Sequence, residues 1–138
     1  MRQTTKNQET AVCSIDYAFR RLGGKYKARI LMYLWHNKVL RYGELRRTIT
    51  DITPKMLTQT LRELEEDKLV DRTVYNEKPP KVEYTITGTA LRLIPFILEL
   101  RTWGDSLLAG SDIPVLPPVD CREFEWRISR EAEQNAGL

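Results

Sequence analysis

The stretch "DITPKMLTQTLRELEEDKLV", Asp51 to Val70, decides the fold. Thr53 stands where a helix cap is wanted, and Pro54 follows at the first helical position, where a missing N–H costs nothing. Leu57, Leu61 and Leu64 then recur at helical spacing and form one apolar stripe. Lys55, Thr58, Gln59 and Arg62 share much of the opposite side. The stretch is therefore expected to be a helix that buries one face and shows hydrogen-bond donors on the other. Glu63, Glu65, Glu66 and Asp67 crowd its C-terminal end. That opposes the helix macrodipole, so the acids need another reason, such as i,i+4 pairing or solubility.

Upstream, "SIDYAFRRLGGKYKARILMYLWHNKVL" reads as two helices. Ser14 is the expected N-cap of the first, with Ile15, Ala18, Phe19 and Leu22 on its apolar side. Gly23-Gly24 ends it, through a glycine in the left-handed C-cap conformation. The second runs from about Lys25 to Asn37, with Ala28, Ile30, Leu31 and Leu34 facing inward. "KVLRY" is a short strand or a connecting loop. "GELRRTI" is a short third helix with Leu45 and Ile49 facing inward.

Downstream, "LVDRTVYN" and "VEYTIT" alternate and are rich in Val, Tyr and Thr, as strands are. Between them lies "NEKPPK", a tip stiffened by Pro79 and Pro80 and flanked by Lys78 and Lys81. "TALRLIPFILELRTWGDSLL" is a long amphipathic helix that Pro95 either kinks or begins. The chain after residue 110 opens as a proline-containing linker and ends in a charged tail, with a short helix near residues 122–133 as one outcome and disorder as the other. Three units follow: residues 1–12 as a flexible arm, 13–110 as one domain, and 111–138 as linker and tail. The fold class is mainly α with a small β-hairpin (α+β).

A short helix, the turn "TDIT" and a second helix exposing Lys, Thr, Gln and Arg is the helix-turn-helix arrangement. A DNA major groove admits one such helix, whose Gln can pair with adenine and whose Arg can pair with guanine. The hairpin after it takes the place of a wing. Charge agrees: residues 20–81 hold 15 Lys and Arg against 8 Asp and Glu, although the whole chain carries only +3. The basic surplus in the middle marks where a polyanion would bind. Candidate DNA contacts are Arg41, Tyr42, Arg46, Thr53, Lys55, Thr58, Gln59, Arg62, Lys78 and Lys81. Tyr42 has a core position as its alternative, and only one of Arg46 and Arg47 is expected to face DNA. The two lysines are expected to project from the wing.

Catalysis is excluded by what is missing. There is no glycine-rich phosphate loop, no GxSxG, no HExxH, and one histidine in 138 residues. That histidine, His36, reads as a helix-end or surface residue, and no metal or other cofactor is expected. No apolar run is long enough to span a bilayer and no signal peptide opens the chain, so the expectation is a cytoplasmic protein with no membrane partner.

"LGGKYKARIL", "LRYGELRRTITDITPKMLTQTLRELEEDKLVDRTVY", "PPKVEYTIT" and "LELRTWG" together closely resemble the HxlR-type transcriptional regulators, a branch of the MarR-like winged-helix proteins. The resemblance spans about Cys13 to Trp103. Tyr26 departs from it by replacing a tryptophan, Lys68 by replacing a glycine, and Thr87-Gly88-Thr89 by shortening the turn into the last helix. The resemblance implies a winged helix-turn-helix with flanking dimerisation helices. It implies a homodimer on a two-fold-related double-stranded operator, commonly a repressor. Ile15, Phe19, Ile94, Ile97, Leu98, Arg101 and Trp103 are then expected at the dimer interface. Cys13 aligns with a cysteine that several members use to sense oxidants or electrophiles; its alternative is a small buried apolar residue near that interface. Cys121 is a candidate resolving partner. The competing function is a winged-helix dimer that answers a small molecule, or contacts protein, without a redox switch.

Overall fold

The computed structural model of the chain describes residues 11–115. Residues 1–10, Cys121 and the segment 122–133 lie outside the described residues. The chain begins with helix α1 (Ser14–Leu22) and helix α2 (Lys27–Asn37), then strand β1 (Val39–Arg41) and helix α3 (Tyr42–Thr48). Helix α4 (Pro54–Glu66), strands β2 (Val70–Tyr75) and β3 (Lys81–Ile86), and helices α5 (Gly88–Leu91) and α6 (Ile94–Leu108) complete it.

The caps explain the boundaries. Ser14 is already helical; the cap position belongs to Cys13, whose carbonyl accepts from the Tyr17 N–H at 3.0 Å. Gly23 is not the left-handed residue. Its φ is −64°, and it is glycine because a Cβ there would stand 2.7 Å from the Phe19 carbonyl oxygen. The left-handed residue is Gly24, at φ +105°. At α4 the Thr53 hydroxyl accepts from the Met56 N–H at 3.2 Å, with Pro54 in the first turn. Pro95 likewise sits in the first turn of α6, and α5 is a separate short helix before it.

The end of α4 closes by a Schellman pair. The Leu69 N–H reaches the Leu64 carbonyl at 2.9 Å and the Lys68 N–H reaches that of Glu65 at 3.0 Å, with Lys68 at φ +58°. Leu64 and Leu69 are both buried and supply the apolar contact that accompanies this motif.

"VLR" is a strand, and it turns the hairpin into a three-stranded antiparallel sheet in the order β1-β3-β2. Leu40 lies opposite Tyr84 and Arg41 opposite Glu83, while Val70 pairs with Ile86 and Tyr75 with Lys81 at the two ends of the wing. The Lys78–Pro79 peptide at the tip is cis.

One core serves all of these elements. Ile30, Leu31, Leu34, Leu45, Ile49, Leu57 and Leu64 have no exposed surface, and Val70, Tyr84, Ala90, Ile94 and Ile97 close around them. Each such aliphatic side chain contributes about 1.5–3 kcal/mol by leaving water. Among the described residues no helix is long and apolar enough to cross a membrane.

Candidate nucleic-acid interface

Helix α4 is seated by its leucine stripe. Leu57, Leu61 and Leu64 are buried, and so is Thr60, whose hydroxyl donates to the Met56 carbonyl at 2.7 Å. Lys55, Thr58, Gln59 and Arg62 are therefore turned outward, and all four are exposed.

Five long-range contacts fix this helix and the turn before it. Arg29 of α2 holds Asp51 with two parallel bonds, Nη1 to Oδ2 at 3.0 Å and Nη2 to Oδ1 at 2.8 Å. Lys25 adds a third contact at 3.5 Å. The Arg29 guanidinium is the main reason the Asp51 carboxyl falls from 3.8 to about 2. The Tyr26 hydroxyl donates to the Asp51 carbonyl at 2.9 Å and ties down the same turn. Lys27, nearly buried, meets Glu63 at 3.1 Å, and Arg21 of α1 meets Asp67 at 3.3 Å. Two of the four acids at the end of α4 thus answer cations on α1 and α2, partners that local sequence did not offer.

Tyr42 is half-buried against the core and bridges the two helices. Its hydroxyl donates to the Pro54 carbonyl at 3.0 Å and lies 3.2 Å from the Thr58 hydroxyl, which also bonds Pro54 at 2.9 Å. Tyr42 and Thr58 are therefore engaged with the start of α4, and the Thr53 hydroxyl is engaged as its cap. Arg46, Lys55, Arg62 and Lys78 are exposed, and their side chains make no hydrogen bond or ion pair with any other described residue.

The wing lysines differ. Lys78 is exposed at the tip. Lys81 lies back in β3, its ammonium 2.9 Å from Glu83 and 4.9 Å from the centre of the Tyr75 ring. That bond raises the Lys81 pKa and lowers that of Glu83. Residues i and i+2 of a strand share a face, and this spacing was the signal for the pair. Arg41, directly across the sheet from Glu83, faces the same carboxylate.

The second surface is apolar. Ile15, Phe19, Phe96, Leu100, Trp103 and Leu107 are all exposed on α1 and α6. Phe19 meets Phe96 edge-to-face at 6.3 Å, docking α1 on α6. Beside that contact runs a groove of about 310 Å³, lined by Ser14, Ile15, Ala18, Phe19, Leu22, Leu93 and Phe96. Ile94 and Ile97, expected at the interface, are instead buried in the chain's own core, because α6 turns that face toward α2. Leu98 also packs on the core, and Arg101 is half-exposed beside Asp105 at 3.8 Å. Cys13 is exposed at the start of α1, next to the groove. Hydrogen bonding from the backbone of Asp16, then Ile15, lowers its thiol pKa. Among the described residues no cluster of His, Cys, Asp or Glu is arranged to hold a metal ion.

Residues 21–112 match the family described as HxlR-like helix-turn-helix. An HTH-type transcriptional regulator of Methanothermobacter thermautotrophicus is 45% identical over 93 residues, covering 67% of this chain and 70% of that protein. Among solved structures, the redox regulator HypR in its oxidised form superposes with a TM-score of 0.63 at 39% identity, over 68% of this chain and 96% of HypR. The reduced form of the transcriptional regulator YodB from Bacillus subtilis gives 0.61 at 31% identity, over 74% of this chain and 100% of YodB.

Proposed function

The chain belongs to the HxlR-like helix-turn-helix family of transcriptional regulators, is not an enzyme, and from that premise we propose that it is a homodimeric repressor which reads a two-fold-related operator through α4. The carrying observation is the outward face of α4. It offers Lys55, Gln59 and Arg62 from a helix whose seat and preceding turn are fixed by core leucines and by the Arg29–Asp51 pair. Arg46 and Lys78 stand on the flanking elements as open cations for phosphate, and Arg41 and Lys81 sit one strand face away. Phosphate contacts set position and affinity, while Gln59 and Arg62 have the chemistry to tell bases apart. Two such helices on successive major grooves require a dimer, and the exposed aromatic face of α1 and α6 is the surface for it.

Cys13 is the proposed switch. It is exposed, its thiol is acidified at a helix start, and it stands beside the α1–α6 face, so oxidation or capture of an electrophile there alters the dimer that spaces the two reading helices. The redox regulator HypR, similar over most of the domain, supports that reading. A second reading is favoured by the groove next to Cys13: an apolar small molecule seated there biases the same interface without redox chemistry.

A gel shift on the DNA upstream of the protein's own gene tests the proposal. A discrete complex that survives competitor DNA and weakens with salt is expected. Its absence rules out operator binding. Oxidant that releases wild type but not Cys13→Ser establishes the switch; equal affinity in all four cases removes it and leaves the ligand reading.

A further inference from the structure

Of the four outward side chains of α4, Gln59 is the one held by an acid. Its Nε2 donates to Glu63 Oε1 at 3.0 Å. The other oxygen of that carboxylate, Oε2, lies 3.1 Å from the ammonium of Lys27, whose side chain is only 11% exposed. An acid on a DNA-facing helix repels phosphate, and a lysine withdrawn from water is costly unless paired, so each charge needs the other. The result is a hydrogen-bonded line from α2 through Glu63 to Gln59. The hydrogen bonds of Gln59 and Lys27 keep the Glu63 carboxyl ionised.

We propose that Glu63, clamped by Lys27, is a positioning residue that fixes the Gln59 carboxamide for reading adenine. This rests on the reading above that α4 enters the major groove. A carboxylate only accepts hydrogen bonds, so it draws the Nε2 end of the amide and excludes Oε1 from its side. One N–H is spent on Glu63. The second N–H and Oε1 remain, and those are the two groups that pair with adenine N7 and N6–H. A side chain already ordered in the free protein does not lose its rotamer freedom on binding, which otherwise weakens a contact by about 2- to 10-fold.

The test is selection of bound sequences from a random duplex library by the full chain. Wild type, Gln59→Ala, Glu63→Gln and the double variant Lys27→Met/Glu63→Gln are compared. The double variant removes both charges at similar volume and leaves neither buried alone. Wild type is expected to prefer adenine at one position of each half-site, and Gln59→Ala to erase that preference. Glu63→Gln and the double variant are expected to melt cooperatively and to lower the preference about 2- to 10-fold; the double variant, unchanged in net charge, keeps its affinity for sites lacking that adenine, and Glu63→Gln, one acid fewer, raises it on every duplex alike. If Gln59→Ala erases the preference while both Glu63 variants retain it in full, Glu63 is structural only and the inference falls. If Gln59→Ala leaves every base preference unchanged, base reading by Gln59 is itself wrong. A double variant that does not fold also counts against the inference, since the pair then serves the fold and not the reading.

Discussion

Arg29 and Asp51 form a two-point clasp between α2 and the turn that launches α4, at 2.8 and 3.0 Å across 22 residues of sequence. The clasp lies away from the proposed reading face and ties the turn before α4 to α2. Asp51→Asn removes the charge and one of the two matched acceptors. The expected cost is roughly 1 kcal/mol, discounted for partial exposure, and it should appear as a fall in urea midpoint with an unchanged m-value.

The same carboxylate gives a pH signature. Its folded pKa of about 2 is below the ordinary 3.8, so the clasp contributes fully above 3.8 and is lost as pH falls toward 2. Wild type should lose stability over that window. Asp51→Asn should show a shallower dependence there; identical slopes in thermal melts between pH 4 and pH 2 would show that the clasp carries no linkage.

Glu83 restrains the wing. It holds Lys81 at 2.9 Å and lies across the sheet from Arg41, so one carboxylate offsets two cations beside the proposed DNA face. Glu83→Gln frees them. Affinity should rise across specific and random duplexes alike, and the slope of log K against log salt should steepen by about one. An unchanged slope would mean that neither cation reaches a phosphate.

Lys68 is held at φ +58° in the Schellman end of α4, a conformation in which a side chain is strained and glycine is not. Lys68→Gly should stabilise the fold by about 0.5–1 kcal/mol, a few degrees in melting temperature. Operator affinity should hold, since this end of α4 lies past the residues proposed to read the operator.

What the sequence shows and what it hides separate along these residues. Thr53, Pro54 and the leucines at 57, 61 and 64 act within one helix, so their spacing alone located α4 and its outward face. The alternation in β2 and β3 is equally local. Strand β1 is three residues long, too short for periodicity, and exists because β3 offers it a partner. Lys27–Glu63 and Arg21–Asp67 join residues more than thirty apart, so the acidic end of α4 had no visible purpose until the helices were packed. Gly23 and Gly24 were legible as a helix stop, but which one goes left-handed depends on the approach of the Phe19 carbonyl. Ile94 and Ile97 share the apolar spacing of their neighbours on α6. Only the position of α2 assigns them to the core.

That last assignment yields a paired prediction. Trp103 is 63% exposed on α6, whereas Ile97 is 5% exposed. Trp103→Asp removes an aromatic anchor from the proposed interface while costing the single chain little. Dimerisation measured by sedimentation should weaken at least about tenfold, with operator binding falling in step. Ile97→Ala should instead destabilise the folded chain by about 2–5 kcal/mol through the cavity it leaves, with the remaining folded protein still dimeric. Should Trp103→Asp remain a full dimer, the partner face lies elsewhere than on α1 and α6. Should Ile97→Ala separate the subunits without lowering stability, α6 must turn outward in the dimer and expose the face that packs on α2 here.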